Sequence, residues 1–73
     1  MIIKESAENY LEAILMIQKK KGNVRSIDIA NQLNFTKPSV SVAMKSFREE
    51  NYITMDSDGS IHLTEKGLKI ARS

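Results

Sequence analysis

Residues 26–51 read SIDIANQLNFTKPSVSVAMKSFREEN, and the spacing of their apolar residues decides the fold. Ile27, Ile29, Ala30 and Leu33 supply the buried face of a short helix that Ser26 caps and Asn34 ends. Phe35 is expected as the apolar plug of the turn that follows. Thr36 is placed to cap the next helix, its hydroxyl oxygen accepting an orphan amide. Pro38 falls in that helix's first turn, where an amide would lack an intrahelical partner anyway. Val40, Met44 and Phe47 recur at i, i+4 and i+7 and predict the inward stripe of a helix over about 37–50. Ser39, Ser41, Val42, Lys45 and Arg48 take the remaining surface. Two short amphipathic helices across a tight turn are the sequence form of a helix-turn-helix.

Upstream, Tyr10, Ile14 and Ile17, with Leu11 and Leu15 beside them, form an apolar stripe that predicts a helix from Ser6 to about Lys20. Ser6 reads as its N-cap, Glu8 suits the positive helix start and Lys19 to Lys21 the negative end. Gly22-Asn23 supplies residues tolerant of positive φ for the stop. Downstream the period changes. Tyr52-Ile53-Thr54-Met55 and Ser60-Ile61-His62-Leu63 are β-prone runs joined by Asp56-Ser57-Asp58-Gly59, a hairpin signal. Thr64 then reads as the cap of a last helix from Glu65 toward Arg72, with Leu68 and Ala71 turned inward. The expected order α-α-α-β-β-α over residues 1–73 is a winged helix-turn-helix, mainly α with one small β-hairpin as the wing.

Composition narrows the function. A chain of 73 residues is one domain, with neither cysteine for a disulfide nor an apolar run long enough to span a bilayer. The opening MIIKESAENY reaches acidic residues at once, unlike a signal peptide, so the cytoplasm is expected. An enzyme is not: there is no cysteine nucleophile, no glycine-rich phosphate loop and a single histidine. That residue, His62, falls in a strand with no evident acidic partner and reads as structural. Eleven Lys and Arg against nine Asp and Glu leave a charge of only +2, so placement matters more than total. Lys19, Lys20, Lys21 and Arg25 cluster at the end of the first helix, and Lys37, Lys45 and Arg48 lie along the third.

A major groove about 12 Å wide accepts one α-helix, with its N-terminal residues nearest the base edges. That geometry presents Thr36, Lys37, Pro38, Ser39 and Val42 to double-stranded DNA. Lys37 suits guanine acceptors or phosphate, Ser39 donates or accepts, and Pro38 and Val42 offer apolar surface to a thymine methyl. Ser26, Ser41, Lys45 and Arg48 complete the expected contact set. Asp56 and Asp58 are the wrong charge for a wing on phosphate. Either the tip stays off the duplex, or Lys66 and the strand flanks make the contact. The same acidic wing motivates the alternative reading, a winged helix that binds other proteins and has negligible DNA affinity.

Taken together, ESAENYLEAILMI (5–17), SIDIANQLNFTKPSVSVAMK (26–45) and IHLTEKG (61–67) resemble the N-terminal domain of the metal-dependent repressors of the diphtheria toxin repressor and manganese transport regulator type. The resemblance implies a bacterial transcription factor repressing metal-uptake genes. Pro38 and Ser39 match residues that meet thymine methyls and base edges, and Val42 stands where some members carry a polar base-contacting side chain. Asn9 and Glu12 match positions that help bind metal. Glu12 agrees with the manganese branch, whereas Asn9 replaces an Asp there and a Met in the iron branch. A neutral amide is a poorer ligand for Mn²⁺ or Fe²⁺ than a carboxylate. The remaining ligands and most of the family's dimer interface lie in a helical domain that would start near the end of this chain. The expectation is therefore no metal cofactor within residues 1–73, with Mn²⁺ or Fe²⁺ sensing and homodimerisation belonging to a longer parent. Ala71-Arg72-Ser73 fits that expectation, as a helix with no terminating glycine or proline.

Overall fold

The computed structural model describes the backbone of residues 3–72 and the side chains of residues 7–72. Met1, Ile2 and Ser73, on which the readings of the opening stretch and of the final helix partly rest, lie outside the described residues. Four helices and a two-stranded hairpin follow the expected order: α1 (Ile3–Lys21), α2 (Ser26–Leu33), α3 (Lys37–Glu49), β1 (Ile53–Met55), β2 (Ile61–Leu63) and α4 (Glu65–Arg72).

The central element is α1, which packs on α2, α4 and β2. Its stripe of Ala7, Tyr10, Leu11, Ala13, Ile14 and Ile17 is buried, with Leu11 and Ile14 wholly inaccessible. Burial of that kind stabilises by roughly 1.5–3 kcal/mol per large aliphatic side chain. Ile29, Val40, Met44, Phe47, Ile53 and Ile61 close the core around them. The helix stops where predicted, with Gly22 at φ +83° and its amide donating 2.8 Å to the Gln18 carbonyl.

Two caps differ from expectation. Ser6 lies inside α1, which begins at Ile3, and so is not its N-cap. Ser26 is the first helical residue of α2 rather than its cap; Arg25 takes the cap position. An arginine side chain has no acceptor to offer an orphan amide. The compensation runs the other way: the Asp28 carboxylate accepts from the Arg25 amide at 3.0 Å and from Lys21 Nζ at 2.7 Å. The Lys21 hydrogen bond holds the Asp28 carboxyl below the usual carboxylate range, outweighing its partial burial. Ile27 also departs from its assigned face and is 41% exposed. It stands two residues, about 200° of helix rotation, from fully buried Ile29, so the two cannot face the same way.

The hairpin pairs Ile53 with Leu63, Thr54 with His62 and Met55 with Ile61, antiparallel. Ile53 and Ile61 turn into the core while Thr54 and His62 face solvent. The Ile61 amide also donates 2.7 Å to the Val24 carbonyl, so the segment entering the helix-turn-helix is stitched directly to the wing.

Candidate nucleic-acid interface

Helix α3 is amphipathic to the degree its sequence promised. Val40, Met44 and Phe47 are buried, whereas Lys37, Pro38, Ser39, Ser41, Val42, Lys45 and Arg48 are all exposed. Its start is organised by Thr36, whose backbone is extended and whose Oγ accepts from the Ser39 amide at 3.3 Å. The Thr36 hydroxyl spends its own proton on Ser39 Oγ at 2.9 Å. Ser39 retains a lone pair and stays both donor and acceptor, and its own hydroxyl hydrogen is still available to give. That suits acceptors on a base edge, such as guanine O6 and N7 or thymine O4. Val42 is 71% exposed, leaving its isopropyl group available to an apolar partner. At the other end Asn51, at φ +65°, turns the chain out of α3, and the Tyr52 amide bonds the Phe47 carbonyl at 2.9 Å.

The expected contact residues do not all share one surface. Lys37, Pro38, Ser39, Ser41, Val42 and Lys45 stand along the outward face of α3. Arg48, near its C-terminal end, leans on the wing, with Nη1 4.0 Å from Met55 Sδ. Ser26 is half-buried in the first turn of α2.

The wing tip is acidic and well ordered internally. Asp58 accepts from the Ser60 amide at 3.0 Å, and the Ser60 amide and hydroxyl hold its carboxyl below the usual range, with Arg25 adding to the effect. His62 does have an acidic partner, contrary to the reading from sequence: its Nε2 lies 2.9 Å from Asp56 Oδ2. Both are exposed, and the pair follows from hairpin register, since Asp56 continues the face of Thr54, which opposes His62. Lys66 reaches the Glu50 carbonyl at 3.1 Å and lies 4.9 Å above the Tyr52 ring. Its ammonium thus complements the negative C-terminal end of α3. Beside it the Thr64 hydroxyl bridges the Asn51 and Tyr52 carbonyls at 2.6 and 3.0 Å and accepts from the Gly67 amide, capping α4 as predicted. The α4 backbone comes so close here that a Cβ on Gly67 would sit 2.0 Å from the Tyr52 carbonyl oxygen.

Phe35, expected as a plug, is 44% exposed and rests on Tyr10 at the edge of an open depression of about 400 Å³ lined by Tyr10, Asn34, Phe35, Thr36 and Ser39. The signal was its place, one residue ahead of the cap of α3.

Asn9 and Glu12 stand exposed on α1, three residues apart. One amide and one carboxylate are too few donors for a transition metal, and among the described residues no group of three or more His, Cys, Asp or Glu is arranged to hold one. The described residues do not fit a metal centre. Among the described residues no helix is long and apolar enough to cross a membrane.

Comparison with known proteins places these features in context. Residues 3–61 match the family described as iron dependent repressor, N-terminal DNA binding domain. The chain is 34% identical over 67 residues to the HTH-type transcriptional regulator MntR of Shouchella clausii, covering 92% of this chain and 47% of that protein. It is 33% identical to MntR of Bacillus subtilis and 31% identical to MntR of Geobacillus thermodenitrificans, again over 92% of this chain and 47% and 48% of theirs. The chain thus spans about half the length of these relatives.

Proposed function

Because the chain belongs to the iron-dependent repressor family, as its N-terminal DNA-binding domain, we propose that it reads a specific DNA site by seating α3 in the major groove. The observation that carries this is the division of α3 into a wholly buried inner face and an outer face where Lys37, Pro38, Ser39, Ser41, Val42 and Lys45 are all free of the core. Ser39 meets a base edge, Lys37 reaches a guanine acceptor or a phosphate from the helix start, Pro38 and Val42 meet thymine methyls, and Lys45 neutralises phosphate. Ser26, at the start of α2, and Arg48, beside the wing, contact the flanking backbone. The acidic tip of the wing stays off the duplex.

On this reading residues 1–73 are one DNA-reading domain of a bacterial repressor acting in the cytoplasm. Dimerisation and the response to Mn²⁺ or Fe²⁺ belong to a longer parent. Asn9 and Glu12 are surface residues of α1 within this chain and hold no metal alone. A single recognition helix covers half of a palindromic operator, so binding by the isolated domain is weak.

Selection from a random DNA pool, with and without added Mn²⁺ and Fe²⁺, tests the proposal. The expected result is one enriched half-site motif that is the same in both conditions. No enrichment even after fusion to a dimerising helix would remove the DNA-reading role, and enrichment only with metal would overturn the account of Asn9 and Glu12.

A further inference from the structure

We infer that Phe35 is a specificity-determining residue: its ring meets a thymine methyl next to the base pair that Ser39 reads. The inference rests on the major-groove reading above. Phe35 occupies the last turn position before α3 and remains 44% exposed, in a chain that otherwise places its aromatic rings in or against the core. The ring is not loose. Its centroid lies 5.5 Å from that of Tyr10, tilted by 58°, and Tyr10 in turn meets Phe47 edge-on at 5.5 Å. Tyr10 is 7% exposed and Phe47 is 4% exposed, so two buried rings prop a third at the surface. Offset and edge-on pairs of this kind contribute about 0.5–1.5 kcal/mol beyond area burial. They fix where the exposed ring stands without covering it.

Position names the partner. Phe35, Thr36 and Ser39 line one depression, and Ser39 carries the unspent hydroxyl hydrogen at the helix start. A base edge brought to Ser39 comes alongside the Phe35 ring. The ring offers no hydrogen bond, so what it can distinguish there is an apolar group, and the thymine 5-methyl is the apolar group of the major groove. Pro38 and Val42, also exposed on the outer side of α3, add further apolar groups near its start. The neighbouring Lys37 is exposed and favours an anionic polymer over an uncharged apolar ligand.

The test pairs protein and DNA changes. The selected duplex is compared with duplexes in which each thymine in turn is replaced by uracil, which removes only the methyl. Wild-type chain, Phe35→Leu and Phe35→Ala are titrated against each, with thermal unfolding as a control for folding. The expectation is one thymine, adjacent to the position sensitive to Ser39→Ala, whose replacement weakens wild-type binding about fourfold, the effect of one buried methyl-sized group. Phe35→Ala should erase that penalty, and Phe35→Leu should keep part of it. Selective wild-type binding that is indifferent to every thymine-to-uracil change overturns the Phe35 inference alone. A methyl penalty that survives intact in Phe35→Ala overturns it too. Absence of any selective DNA binding overturns both this inference and the reading on which it rests.

Discussion

The outward face of α3 and the tip of the wing are both exposed and both polar, yet they are built for opposite purposes. On α3, Lys37 and Lys45 extend from the surface, and Ser39 has its hydroxyl hydrogen to spare. On the wing, Asp56 faces His62 and Asp58 is satisfied by Ser60, so the acidic groups are turned to the hairpin's own histidine and backbone. One surface leaves its donors exposed, and the other consumes its hydrogen bonds in its own shape. The wing also braces the elements beside it. Through the Val24 carbonyl it holds the entry to the helix-turn-helix, and through Thr64, Lys66 and Gly67 the helix behind it holds the exit from α3.

The sharpest way to break this comparison is to disturb the hold without touching either surface. Gly67→Ala would drive a Cβ into the Tyr52 carbonyl, which is backbone and cannot swing aside. Although alanine favours helix, a loss of about 3 kcal/mol in denaturant unfolding is expected, at the upper end of overpacking costs. A variant as stable as wild type would show that α4 does not clamp the end of α3. Next in size is Lys45→Ala. It should weaken binding about tenfold at low salt and lower the log–log salt slope by about 1, uniformly across DNA sequences. Unchanged slope would mean that phosphate lies elsewhere.

Neutralising the wing asks the complementary question. Asp56→Asn with Asp58→Asn keeps acceptor oxygens for His62 and Ser60 while removing two negative charges. Affinity for bulk DNA should rise about threefold at low salt and the gain should vanish at high salt, as expected of long-range repulsion. Weaker binding instead would make the wing a contact surface. The smallest effect is expected at Asp28, in the first turn of α2. Its carboxyl is held low in the folded chain, so its stabilisation is present above the unfolded value near 3.8 and is lost as pH falls through the folded value. Asp28→Asn should therefore cost about 0.5 kcal/mol at neutral pH, with the difference in Tm closing in acid.

What could be read from the chain follows the same division. The core face of α3 was legible because Val40, Met44 and Phe47 repeat with helical spacing and no competing pattern. The other helices were legible for the same reason, and the hairpin because the period changes there around Asp56-Ser57-Asp58-Gly59. The caps at Ser6 and Ser26 were misread because a serine near a helix start looks alike whether it stands before or inside the first turn. The signal that decided α2 was Asp28, three residues beyond Arg25, which satisfies the cap amide from within. His62 seemed partnerless because Asp56 reaches it through strand register, which six residues of sequence do not display. Ile27 shows the limit of counting apolar residues in an eight-residue helix, where the angle between them matters more than their number. Phe35 shows that a plug and an exposed ring have the same sequence until Tyr10 fills the space beneath.

The central claim is that α3, and not the wing, meets DNA. An amide NMR titration of the chain with its selected duplex tests it most directly. The account predicts that shifts concentrate between Phe35 and Lys45, with the Asp56–Ser60 turn nearly silent. Shifts concentrated on that turn, with the start of α3 unmoved, would contradict it.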